Sequence, residues 1–267
     1  MFTLGLSPCP NDTFIFYALL NGRIDTKGIS LEPRIEDVET LNGMALKSSL
    51  DVTKVSCHVY HYVRDNYDFL ASGGAFGRGC GPLIITRDEY TLRELKDKRI
   101  AIPGEMTTAY LLLKLFFRSA FGALSFEPVP MLFSGIPAAV REGRVDAGLI
   151  IHEGRFTYQG LGLLKTLDLG AWWEAETGLP IPLGGIIARK TLGQAGRTIQ
   201  ELIRESITYA RDNRAEALTF IRRYSQELAE TVINKHIDLY VNEFSIDMGE
   251  EGRAALDELL TRAGYTS

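Results

Sequence analysis

Chemistry-bearing residues fall in a few short stretches. Gly148-Leu149-Ile150-Ile151 runs directly into His152-Glu153-Gly154-Arg155, so an apolar strand ends on an imidazole followed by a carboxylate and a guanidinium. Neutral imidazole accepts a proton near pH 7, which makes His152 a candidate general base. The plainer reading is a satisfied histidine at the rim of a core. Thr107 and Thr108 follow Pro103-Gly104 and open an apolar run. At a helix N-terminus such hydroxyls, together with free backbone N–H groups and the helix dipole, can hold a carboxylate, or they can serve only as caps. Ser7-Pro8-Cys9-Pro10-Asn11-Asp12-Thr13 carries the same two readings. Ser56-Cys57-His58 ends a second buried run, but no spaced Cys/His signature supports a thiol nucleophile at Cys57.

The elements that must hold these residues repeat. Adding 95 to a residue number takes Pro8 to Pro103, Thr13 to Thr108, Arg23 to Arg118, Ser30-Leu31-Glu32-Pro33 to Ser125-Phe126-Glu127-Pro128, and Asp51 to Asp146. An offset that long predicts two similarly built α/β halves with a cleft between them, not a solenoid. Each half reads as a strand (residues 2–7 and 99–102), a turn, and an apolar helix (from Phe14 and from Ala109). Each continues with an extended segment (29–35 and 124–131), a helix (41–50 and 136–142), and a buried strand ending at Cys57 or His152. In an open α/β sheet the strand-to-helix turns lie at the carboxyl edge, where ligands bind. Both turns and both strand ends should therefore face the cleft.

Ser72 to Pro82 is dense in glycine and precedes a strand over Leu83–Thr86 that should pass to the second half, with a return near Gly184–Arg189. Two crossings suit a hinge. The glycines do not form a nucleotide-phosphate loop. Beyond Thr191 the text is helical, with stripes at Ile199, Leu202, Ile203 and Ile207 and at Leu218, Ile221 and Leu228, and with turns expected at Arg211–Arg214 and Ser245–Glu251. Trp172 and Trp173 read as packing, with an aromatic wall for a flat ligand as the alternative.

Composition removes several classes. A formal charge of −5 with pI near 5.5 argues against a general nucleic-acid surface. No apolar run approaches the roughly 20 residues of a membrane span. The first residues lack a basic n-region and a long apolar stretch, which leads us to expect a cytoplasmic protein beginning here. Cys9, Cys57 and Cys80 are odd in number and scattered, as reduced thiols are, and neither they nor His58 and His61 have metal-site spacing, so no metal is expected.

Ser7-Pro8-Cys9-Pro10-Asn11-Asp12-Thr13-Phe14, Gly77-Arg78-Gly79-Cys80-Gly81-Pro82, Pro103-Gly104-x-x-Thr107-Thr108-Ala109 and Ile151-His152-Glu153-x-Arg155-Phe156 occur in this order, and with them the chain resembles the 1,4-dihydroxy-6-naphthoate synthase family of the futalosine route to menaquinone over nearly its whole length. The resemblance implies a two-lobed α/β fold like type 2 periplasmic binding proteins, with residues 1–86 and 187–267 in lobe 1 and 87–186 in lobe 2. It implies a lyase that takes cyclic dehypoxanthine futalosine, a small-molecule carboxylate, to 1,4-dihydroxy-6-naphthoate and a three-carbon sugar fragment. By matching motifs His152 would be the proton acceptor, Thr107 and Thr108 would bind substrate, and Lys54, Val55 and Ser56 would line the other lobe. No net redox change is involved, so no nicotinamide, flavin, metal or other cofactor is expected, and no nucleic-acid partner. Oligomeric state is left open. Two alternatives stand: a cytoplasmic small-anion binding protein using the same cleft, and the chorismate dehydratase of the same route, whose opening motif differs from this one.

Overall fold

The computed structural model describes residues 1–225 and 229–264. In each half the first three strands and the two helices between them follow the order the repeat predicts, and further strands and helices are added to them. The first half supplies β1 (Phe2–Leu6), α1 (Pro10–Leu20), β2 (Leu31–Ile35), α2 (Val38–Leu46), β3 (Val52–Ser56), α3 (Cys57–Val63), β4 (Tyr67–Phe69), β5 (Ala75–Gly77) and β6 (Leu83–Thr86). The second supplies β7 (Arg99–Ile102), α4 (Thr108–Phe121), β8 (Glu127–Pro130), α5 (Ile136–Arg141), β9 (Ala147–Ile150), α6 (Gly154–Thr157), β10 (Leu164–Asp168), α7 (Leu169–Thr177) and β11 (Ile181–Arg189). Helices α8 (Gln194–Asp212), α9 (Arg214–Ile221), α10 (Glu230–Tyr240), α11 (Glu243–Ile246) and α12 (Gly249–Arg262) complete the described chain.

The repeat shows in the sheets. One has the order β2-β1-β3-β11-β4, with β5 pairing β11; the other has β10-β6-β9-β7-β8. In each, the first strand of the half is parallel to both its second and its third, and an antiparallel strand from the opposite side of the sequence then joins the third. Asp51 and Asp146, equivalent by the offset of 95, do the same work: each accepts a backbone N–H from the neighbouring first strand, Thr3 N at 2.9 Å and Arg99 N at 2.9 Å.

Strand β6 hydrogen-bonds in the second sheet and β11 in the first, so the chain crosses between sheets before Leu83 and again before Ile181. The strand over Leu83–Thr86, expected to pass to the second half, is a member of the second sheet. At the crossing Gly81 meets Gly170, where a Cβ on Gly81 would lie 2.3 Å from the Gly170 Cα. Only glycine lets the two backbones approach this closely.

Helix α1 is buried nearly all round, with α8, α9 and α10 packed against it. The stripe Ile199, Leu202, Ile203 and Ile207 packs against it in one core with Leu4, Phe14 and Ile237. Ile221 is buried in that core and Leu218 packs at its margin; Leu228 lies outside the described residues. Two expected boundaries differ. Helix α2 begins at Val38, not 41, because the Asp37 side chain accepts from Glu39 N and Thr40 N as an N-cap. The region 245–251 is largely helical, with α11 capped by Asn242 and α12 starting at Gly249 with Glu250 and Glu251 at its positive end. Trp173 is fully buried and donates its indole N–H to Pro180 O at 3.0 Å, a packing role.

Candidate active site

A cleft opens between the sheets, lined largely by apolar atoms with a few polar side chains, as small-molecule sites are. Lys54, Val55, Ser56, Thr107, Thr108 and His152 all line it. Their position follows from the fold. Residues Lys54 to Ser56 end β3, Thr107 caps α4 just after β7, and His152 follows β9, so all stand at carboxyl ends of parallel strands.

The N-terminus of α4 faces this space with two hydroxyls in fixed roles. Thr107 Oγ1 accepts from Tyr110 N at 3.2 Å and donates to Gly104 O at 2.8 Å. Thr108 Oγ1 donates to Leu183 O at 2.7 Å and accepts from His58 N at 3.3 Å, which ties α4 to β11 and α3. With these hydroxyls engaged, the anion-binding capacity of the α4 N-terminus lies mainly in its backbone N–H groups and dipole. Capping and ligand binding thus coexist here.

Across the cleft Lys54 Nζ meets Asp12 Oδ1 at 2.9 Å, with the two side chains 6% and 1% exposed. Asp12 Oδ2 accepts from Ser7 Oγ at 2.7 Å and Ser7 N at 3.2 Å, and Asp12 Oδ1 accepts from Asn11 Nδ2 at 2.8 Å. This is why the opening turn carries Ser, Asn and Asp together. Asn11 Oδ1 in turn lies 2.9 Å from His236 Nε2. Arg78 bonds Gly178 O and Glu251, and Arg155 bonds Gly81 O and Asp168, so both guanidiniums brace the crossings and do not line the cleft.

Ser56 is held by Asn42, whose Oδ1 accepts from Ser56 N at 2.9 Å and whose Nδ2 donates to Ser56 Oγ at 3.1 Å. Asn42 Nδ2 also donates to Glu39 Oε2 at 3.0 Å, and Glu39 Oε1 accepts from Met106 N at 2.9 Å. Glu39 stands on α2 and Met106 on the turn before α4, so this carboxylate clasps the cleft from one side to the other. Gly104 makes room for it: at φ 148° it carries no Cβ, and one would lie 2.3 Å from Glu39 Cδ.

His152 has φ 55°, a left-handed conformation that a histidine adopts at a cost. Its ring lies 5.1 Å from Phe133 and 6.2 Å from His236, nearly parallel to the latter. Its ring nitrogens make no hydrogen bond among the described residues. Burial pushes its pKa below the ordinary histidine value; the charges of Glu153 and Asp12 oppose this and Lys54 adds to it. A neutral imidazole with a free lone pair is the form that accepts a proton. Cys57, the equivalent residue of the other half, is buried at the start of α3, and burial drives its thiol far above the thiolate range, which removes it as a nucleophile.

His58 and His236 are depressed as well, His58 to about 4 chiefly by burial and then by Lys114, and His236 well below its usual value by burial and then by His152. On unfolding each returns to about 6.5. Below that pH the unfolded chain binds more protons than the folded one, so the stability contributed by neutral burial is complete above about pH 6.5 and is lost as pH falls toward the folded values. Thermal melts are expected to show a Tm that drops between about pH 6.5 and pH 4; a flat Tm across that window would contradict neutral burial of these rings.

The sequence reading missed four residues: Glu39, Asn42, His236 and Tyr240, the last lining the cleft from α10. Asn42 and Glu39 stand on the helix whose Asp37 cap was overlooked. His236 and Tyr240 lie in helical text without a motif.

Two α/β sheets of matching strand order, joined by two crossings around a cleft, define the type 2 periplasmic-binding-protein fold. Solved structures agree: the periplasmic aliphatic sulphonate binding protein of Escherichia coli superposes with TM-score 0.68 at 15% identity, covering 97% of this chain and 85% of that one. A crystal structure of a protein from Archaeoglobus fulgidus reaches TM-score 0.92 at 39% identity, covering 98% and 96%. A family model described as menaquinone biosynthesis matches residues 2–265. The 1,4-dihydroxy-6-naphthoate synthase of Thermus thermophilus is 51% identical over 97% of this chain and 93% of its own length, and that of Streptomyces coelicolor 47% over 97% and 92%. The chain belongs to this menaquinone-biosynthesis family.

Proposed function

We propose that this protein is a carbon–carbon lyase that converts cyclic dehypoxanthine futalosine to 1,4-dihydroxy-6-naphthoate and a three-carbon sugar fragment. The observation that carries the reading is His152: a neutral imidazole without a hydrogen bond at a strained backbone position in the cleft wall. His152 removes a proton, a carbon–carbon bond breaks, and the ring becomes aromatic with no net redox change. Residues 1–82 with 181–264, and residues 83–180, act as two lobes that close on the substrate and keep water from it. The α4 N-terminus and Ser56 hold the substrate carboxylate and polar groups, with Lys54 and Val55 completing the opposite wall.

A base must be unprotonated to work, so its pKa sets the acid limb of kcat/KM. Because burial lowers that pKa, activity is expected to persist as pH falls below about 6.5 and to be lost only at lower pH. Turnover measured across this range tests it; an acid limb centred above pH 7 would exclude this imidazole as the base.

The Glu39 clasp is read as stabilising the closed lobes. Gly104→Ala would drive a Cβ into Glu39 and break its bond to Met106 N. A lost hydrogen bond to a charged group costs about 1.5–3 kcal/mol, so KM is expected to rise about ten- to hundredfold with a smaller change in kcat. Steady-state kinetics decide it, and an unchanged KM would remove the clasp from substrate capture.

A further inference from the structure

Behind the wall of the cleft lies a group of side chains that the proposed reaction uses only in part. The Cys9 Sγ, a ring nitrogen of His152 and a carboxylate oxygen of Glu153 all lie within 4.8 Å of one another. His236 joins them from α10, with Nδ1 3.9 Å from Glu153 Oε2 and its ring fully buried. Neither His236 Nδ1 nor Glu153 Oε2 has a hydrogen-bond partner.

The tautomer of His236 follows from its neighbours. Asn11 Nδ2 donates to Asp12, so the atom that Asn11 turns to His236 is Oδ1, an acceptor. The imidazole proton therefore sits on Nε2, and Nδ1 directs a lone pair toward the lone pairs of a carboxylate. Two buried acceptors facing each other, beside a thiol and a second imidazole, lack the positive partner that buried polar atoms require. Sulfur, imidazole nitrogen and carboxylate oxygen together are the donor set of zinc.

We propose that Cys9, His152, Glu153 and His236 form a binding site for a thiophilic divalent cation, zinc in the first place, and that its occupancy switches the enzyme off. Thiolate and carboxylate balance the charge of the ion, so the occupied site is neutral overall. The thiol proton leaves to solvent as the metal–sulfur bond forms. Zinc bonds of about 2.0–2.3 Å place ligand atoms roughly 3.3–3.8 Å apart, so Cys9, His152 and Glu153 draw in by about an ångström on binding, and His236, which stands outside their 4.8 Å group, moves further to complete the set. The His152 lone pair given to the metal is the one that would accept the substrate proton, and this inhibitory half rests on the reading of His152 as base. The binding half does not.

The test titrates the reduced, chelator-treated protein with Co²⁺ and follows absorption. One equivalent is expected to raise a thiolate-to-cobalt charge-transfer band in the near ultraviolet, which Zn²⁺ displaces. Cys9→Ala is expected to abolish the band, Cys57→Ala to keep it, and Glu153→Gln to weaken binding at least about tenfold. Zn²⁺ is expected to stop turnover and a chelator to restore it, with the inhibition lost in the folded Glu153→Gln protein at the same Zn²⁺ concentration. No band, or a band that survives in Cys9→Ala, overturns the site. A band with turnover undiminished by saturating Zn²⁺ overturns the inhibitory role, and the band decides binding even for a preparation that never turns over.

Discussion

His152→Asn is expected to lower kcat by about 10²- to 10⁴-fold while the protein stays folded and binds substrate with little change in affinity. Asparagine keeps a polar side chain of similar reach and is among the residues that best tolerate the left-handed backbone at position 152. It has no lone pair basic enough to take up a carbon-bound proton. What disappears is the base, and what remains is the cleft: the α4 N-terminus, Ser56 with its Asn42 support, and the Glu39 clasp are untouched. Isothermal titration with substrate and single-turnover kinetics separate the two effects. Loss of binding with turnover of the bound fraction intact would make His152 a binding residue only.

Lys54→Met is expected to destabilise the protein by about 3–5 kcal/mol, the second large effect. Asp12 and Lys54 are buried together, and Asp12 is also fixed by Ser7 and Asn11. Removing the ammonium strands a carboxylate in the wall of the cleft, which costs more than the pair contributes. The double variant Asp12→Asn with Lys54→Met removes both charges and is expected to recover a substantial part of the loss, a non-additivity that residues in direct contact show. Urea denaturation of the single and double variants reads this directly. A single-variant cost below about 1 kcal/mol would mean that the pair is solvated and not part of a closed network.

The shared order of strand, helix, strand, helix and strand in the two halves was legible because the text repeats at an offset of 95, and the pairing of β1 with β2 and β3, and of β7 with β8 and β9, follows that order. The position of Thr107, Thr108 and His152 at the cleft was legible from the same repeat, as a residue just past a parallel strand has nowhere to stand but the carboxyl edge. The Asp37 cap was written in the sequence and overlooked, and with it went Glu39 and Asn42, one helical turn apart on α2. Ser245–Glu251 read as a turn, yet Gly249, Glu250 and Glu251 open α12, and Gly252 inside it lies where a Cβ would meet Met248 at 2.9 Å. His236 was out of reach for a different reason. It touches Asn11 across 225 positions of sequence, and no local pattern distinguishes an inward histidine on a helix from an outward one. The group formed by Cys9, His152, Glu153 and His236 draws on three separate segments, which is why spacing arguments about metal ligands did not find it.

The most direct test of the central claim is to supply purified protein with cyclic dehypoxanthine futalosine and quantify both products by chromatography and mass spectrometry, with chorismate as a parallel substrate. The account predicts 1,4-dihydroxy-6-naphthoate and the three-carbon fragment in equal amounts, and no reaction of chorismate. Intact substrate recovered from folded protein that binds it, or conversion of chorismate instead, would contradict the assignment of this cleft as that carbon–carbon lyase.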